Sequence, residues 1–229
     1  MITNIKLKTM KKLFITFLMG TAIISAQSEK GTKFIGGTFN LSGTTNQTNN
    51  LLGTPYQNSS AGYGISPEIG YFLKKNLAIG ASINVYHGKT NNDGNANTPL
   101  DYSSAKYNNI GASIFMKYYH PIYEKLYFLL NPSIGYGHAK NDFTNYNYSS
   151  NSLSGNTTKT NSFGVSIIPG ISYFASSRLS FQTTFGNLFY NNSRNTNSGD
   201  NYDNTSKGDN YGLNLSSATL TFGMSYYFK

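Results

Sequence analysis

The chain has 229 residues, enough for one domain, with charged residues at only 12% and no cysteine. That composition excludes a disulfide framework, a thiolate metal site, a cysteine nucleophile and an acylated-cysteine lipid anchor. The formal charge of +9 includes four lysines near the N-terminus (Lys6, Lys8, Lys11, Lys12). Without them 14 basic residues face 9 acidic ones, a balance of +5, and that excess is scattered rather than gathered in a stripe. No nucleic-acid partner is expected.

Residues 1–26 read as a secretory signal peptide. Lysines come first, an apolar run spans Leu13 to Ile24, and Ser25-Ala26-Gln27 follows, with cleavage expected after Ala26. Met10 is a second candidate start. An uncleaved anchor is the alternative, but the run is short for a spanning helix and no charged stop-transfer flank follows. Residues 27–229 then form one domain, delivered beyond the inner membrane of a bacterium.

Eight segments of the exported part alternate apolar with small polar residues, the period-two pattern of strands. They are Lys33 to Ser42, Tyr63 to Leu73, Leu77 to Tyr86, Asn108 to Tyr119, Leu126 to Gly137, Ser162 to Phe174, Arg178 to Leu188 and Leu213 to Phe228. About ten residues per segment is the length of a strand tilted across a bilayer. Short turns are expected at Lys74 to Asn76, Pro121 to Lys125 and Ala175 to Ser177. Polar loops rich in Asn, Thr, Ser and Gly are expected at about 44–61, 88–106, 139–161 and 190–211. The fold class is therefore an all-β, eight-stranded antiparallel up-and-down transmembrane β-barrel. Its turns would lie in the periplasm and its loops outside the cell.

Four strand ends carry an aromatic pair: Tyr71-Phe72, Tyr118-Tyr119, Tyr173-Phe174 and Tyr227-Phe228. Aromatic rings favour the lipid–water boundary, so Tyr71, Tyr118, Tyr173 and Phe228 are assigned to a periplasmic girdle. Alternation alone does not say which face points outward, since a soluble barrel of the lipocalin kind has an apolar interior. The polar face decides. It carries Gly, Ser, Thr, Asn and aromatics instead of the Lys, Glu and Asp of a water-facing surface.

Two charges fall in the inward phase, Glu68 on the second segment and Lys117 on the fourth. A lone buried charge is costly, so an interior ion pair that helps plug the barrel is expected. A proton or ion relay is the functional alternative. Three prolines (Pro67, Pro132, Pro169) each sit in a Pro-x-Ile-x-Tyr context inside strands. Each removes a ladder donor, and bulges are the expected accommodation.

The chain ends Thr221-Phe222-Gly223-Met224-Ser225-Tyr226-Tyr227-Phe228-Lys229. This resembles the assembly signal of outer-membrane barrels, with Gly223, Tyr226 and Phe228 at the motif positions and Lys229 following the terminal aromatic. An ordinary last strand is the bland alternative. With this motif, residues 27–229 resemble the small bacterial outer-membrane β-barrel family called porin-like. The architecture resembles that of the OmpX and OmpA barrel class, and the Asn- and Tyr-rich style resembles that of its Bacteroidetes members.

The resemblance implies an outer-membrane location, lipid as surroundings and the barrel assembly machinery as a partner during biogenesis. It implies no defined activity and no cofactor. His87, His120 and His138 lack an acid and a serine at a triad's spacing, so no catalytic residue is assigned and no enzyme is expected. No metal site is assigned either. The function expected is a non-enzymatic envelope or surface-interaction role, through long polar loops and an unidentified outside partner. The alternative is a narrow porin-like channel for small or apolar solutes.

Overall fold

The computed structural model describes residues 28–49, 55–93, 102–147, 150–199, 203–214 and 221–229. The proposed leader lies outside them. The described residues form ten strands: β1 (Lys33–Asn49), β2 (Pro55–Lys74), β3 (Leu77–Asp93), β4 (Tyr102–Tyr123), β5 (Leu126–Asn147), β6 (Ser152–Phe174), β7 (Leu179–Thr184), β8 (Asn187–Gly199), β9 (Asp203–Asn214) and β10 (Thr221–Phe228). Neighbours pair antiparallel in the order β1-β2-β3-β4-β5-β6-β7-β10, and β10 pairs back to β1. Eight strands thus close a ring, the up-and-down barrel expected from the alternation.

The expected seventh and eighth strands are each divided in two. β7 stops at Thr184, Gly186 takes a positive φ of 65°, and β8 resumes at Asn187. Glycine tolerates that left-handed conformation because it has no Cβ. The register against β6 slips by one across this break, from Gly170↔Thr184 to Ile167↔Leu188. β9 and β10 make the last expected strand in the same way, on either side of residues 215–220. The seam between first and last strands is short. β1 pairs with β10 over Lys33–Phe39, whereas β9 pairs with β8.

The stretches 44–61, 88–106, 139–161 and 190–211, expected as loops, are largely strand. β5 and β6 stay in register from Leu126↔Tyr173 out to Asn147↔Ser152. Apolar alternation ends near Tyr136 because water replaces lipid on the outside, but pairing does not need it. Backbone hydrogen bonds continue, and polar cross-strand pairs support them. Thr158 Oγ1 donates to Asn197 Oδ1 at 2.6 Å, Thr160 Oγ1 to Asn195 Oδ1 at 2.7 Å, and Thr44 and Ser60 hydroxyls lie 2.9 Å apart.

The prolines differ from expectation too. Pro67 faces Gly37 on β1 in register, and the β2–β3 ladder skips Ser66 and Pro67 without changing register. Pro132 likewise faces Ile167 on β6, while the β4–β5 ladder skips it, again with register kept. A strand residue's N–H points toward one neighbour only, so one proline opens a gap on one side. Only Pro169 lies opposite a slip, where its carbonyl accepts from Phe185 N at 3.1 Å.

The outside of the ring is an apolar belt. Ile35, Ile69, Ile83, Ile114, Val165 and Met224 are all exposed. Water-exposed apolar area of this extent and without charge is not tolerated, and lipid is the solvent that suits it. Among the described residues no helix is long and apolar enough to cross a membrane; this fold crosses with strands.

Candidate functional site

The interior narrows to a floor at the turn end. The aromatic pairs split across the barrel wall, one ring out and one in. Tyr71, Tyr118 and Phe228 are exposed and Tyr173 is half-buried, all on the outward face. Their neighbours Phe72, Tyr119, Phe174 and Tyr227 point inward and are buried, together with Phe34. Strand alternation forces this split, since adjacent residues face opposite sides.

The inward rings touch in a closed circuit. Centroid distances are 6.0 Å for Phe34–Phe72, 5.6 Å for Phe72–Tyr119, 6.0 Å for Tyr119–Phe174, 5.3 Å for Phe174–Tyr227 and 5.7 Å for Tyr227–Phe34. Tyr127 adds an edge contact to Phe174 at 5.1 Å. Each such pair contributes about 0.5–1.5 kcal/mol beyond its buried area. Gly70 makes this packing possible, because a Cβ there would collide with the Phe34 ring. The N-terminal segment also lies at this end. Gly31 N donates to Phe72 O at 3.0 Å, Phe72 N to Thr32 O at 2.8 Å, and Ser28 Oγ to Asn76 Oδ1 at 2.7 Å.

Glu68 and Lys117 meet next to the floor. Lys117 Nζ donates to Glu68 Oε1, and the side chains of Lys117 and Glu68 are 1% and 9% exposed respectively. Lys117 also donates to Gln182 Oε1 at 3.2 Å and lies 5.3 Å and 5.2 Å from the ring centroids of Phe34 and Phe115. Glu68 Oε1 further accepts from Gln182 Nε2 at 3.4 Å and from Ser225 Oγ at 3.3 Å. β2, β4, β7 and β10 thus each supply one member. The charges cancel, and hydrogen bonds and ring faces offset part of the desolvation cost. Gln182 and Ser225 were not legible as members. Both are inward-phase polar residues among many, and only closure of the ring brings them to the ion pair.

Beyond the pair the lumen widens into a cavity of about 660 Å³. Its wall carries seven asparagines: Asn40, Asn84, Asn109, Asn131, Asn187, Asn191 and Asn210. Inward-phase Gly111, Gly135 and Gly164 leave space where side chains would fill an eight-stranded interior.

The remaining sequence-assigned residues stay apart from this interior. Tyr226 and Phe228 are exposed on the outer face of β10, at the seam with Ile35 and Lys33. Gly223 pairs with Thr38, and a Cβ there would come within 2.9 Å of Gln182 Nε2, so this glycine makes room for the network. His87 Nδ1 bonds Asn108 Oδ1 at 2.7 Å and His138 Nδ1 bonds Asn161 Oδ1 at 2.8 Å. An amide holds each ring, with no carboxylate in the orienting place of a triad. Among the described residues no group of His, Asp and Glu could hold a metal ion.

No family model matches the chain, and no curated protein matches it. Several solved structures are similar. The outer-membrane protein OprG from Pseudomonas aeruginosa is 14% identical, with 89% of this chain and 98% of that one covered at a TM-score of 0.46. A major outer-membrane protein from Thermus thermophilus is 13% identical, with 86% and 99% covered at 0.42. Ail, the attachment invasion locus protein of Yersinia pestis, is 13% identical, with 87% and 99% covered at 0.37. At these values the similarity is confined to chain architecture.

Proposed function

We propose that the chain is a non-enzymatic integral protein of the bacterial outer membrane that displays a polar β-extension to partners outside the cell. The closed aromatic floor carries this reading. Five buried rings and a neutralised ion pair occupy the turn end of the barrel, so the lumen ends blind there. A protein whose lumen is stopped works at its outer surface. The strands continue well past the apolar belt as paired polar hairpins, a rigid platform for contacts. The uncharged belt and the short turns at the floor end support insertion with turns toward the periplasm. Gly223, Tyr226 and Phe228 would be the features read by the assembly machinery. Asparagine partners on His87 and His138 support a role other than catalysis.

A narrow channel is the second reading, favoured by the 660 Å³ lumen cavity. Single-channel recording on the refolded mature protein in a planar bilayer separates the two, with folding checked by heat-dependent gel mobility. Silence from a folded sample is the expected result. Discrete, reproducible steps would overturn the blind-barrel reading.

A further inference from the structure

The lumen cavity is built in a way that neither plugging nor display requires. Seven asparagines face it from β1, β3, β4, β5, β8 and β9, Asn187 and Asn191 both on β8. Asn40, Asn84, Asn109 and Asn210 are exposed at the end away from the floor. Asn131 sits deeper, and its Oδ1 is buried without a hydrogen-bond partner. A buried amide oxygen left unpaired costs free energy, so it marks a place where an added donor is rewarded. Hydroxyls of Ser113, Ser133 and Ser166 fill the wall between.

The charge of the cavity is as informative as its polarity. Glu68 is the charged residue at its base, and Lys117 neutralises it. A charged solute would find no counter-charge there and would lose hydration on entering. A neutral solute with many hydroxyls fits, because each amide offers both a donor and an acceptor. Phe189 adds a flat apolar surface on the same wall and lies against Gly212, where a Cβ would be 3.3 Å from the ring. The C–H face of a pyranose can pack on such a ring while its hydroxyls bond the amides. The volume lies within the range of about 300–1,000 Å³ usual for small-molecule sites.

We infer that the lumen is a blind binding site for a neutral saccharide of one to three rings. It goes beyond surface display and depends on the floor only in that the bound sugar goes no further.

The test uses the refolded mature protein in phosphocholine lipid nanodiscs, since sugar-headed detergents would compete. Maltotriose, lactose and cellobiose are titrated separately, and side-chain amide signals are followed by nitrogen–proton NMR. The expected result is saturable shifts at Asn109, Asn131 and Asn191 with at least one sugar. Asn109→Leu should weaken that binding by at least tenfold, and Asn109→Ser, a milder change, should weaken it less. Should Asn109→Leu fail the heat-mobility check for folding, the wild-type shifts and Asn109→Ser carry the test. Shifts confined to residues outside the lumen, or no saturable shift with any of the three sugars, would overturn the proposal. It fails independently of the display reading, which conductance tests.

Discussion

Lys117 donates to Glu68 across the lumen, although 49 residues of chain separate them. Removing one partner leaves the other charge buried and uncompensated. Glu68→Gln and Lys117→Met should each lose about 3–5 kcal/mol of stability. The double variant should lose less than the sum, because no charge is stranded. Urea unfolding in lipid, followed by gel mobility, measures this. Unchanged stability in either single variant would remove the structural role of the pair.

The floor makes its own prediction. Phe174 contacts Tyr119, Tyr127 and Tyr227, and Phe72 contacts Phe34, Tyr119 and Tyr227. Each to alanine should cost about 3–5 kcal/mol through lost burial and the cavity left behind. The Phe72→Ala/Phe174→Ala double variant, if folded, should conduct in planar bilayers where the parent is silent. A silent double variant would show that the rings do not form the barrier.

Belt and extension should respond unequally to an added charge. Ile114 is exposed in the middle of β4, where arginine would face lipid at a cost of about 2–4 kcal/mol. At exposed Ser154, on the polar part of β6, replacement by arginine adds the same charge in water and should change stability by under about 0.5 kcal/mol. Equilibrium folding into lipid vesicles compares the two. Equal effects would mean that the bilayer does not sit at the Ile114 level.

Asp142, in the extension, has its carboxyl held below the usual range. The bond from Lys140 at 2.8 Å is the largest cause, followed by the bond from Thr157 at 2.7 Å. Because the folded value lies below the unfolded one, this interaction is fully present above the unfolded value of about 3.9. It is lost as pH falls through the folded value. Carboxyl NMR titration should give a midpoint below that of a model aspartate, and Lys140→Ala should raise it. A midpoint at the model value in the parent would show that the pair does not form in solution.

Alternation in eight segments and the uncharged outward phase were legible in the sequence, because period two with lipid outside leaves its mark on every residue of a belt strand. The positions of Glu68 and Lys117 in the inward phase were legible for the same reason. The extension was not. Polar hairpins such as β8–β9 are held by backbone pairing and by bonds such as Tyr190 and Asn192 to Asp209, which impose no apolar rhythm. Bulges at Pro67 and Pro132 were the wrong expectation because a sequence does not show which neighbour a missing donor faces.

By itself the sequence determined the class of fold, the solvent of its outer face and the residues able to enter the lumen. Local alternation encodes all three. Tertiary structure alone decided that one ring of each aromatic pair joins a floor, that Gln182 and Ser225 complete the network around the ion pair, and that seven asparagines share one cavity. These residues come from strands far apart in the chain, and only the closure of β10 onto β1 sets their distances.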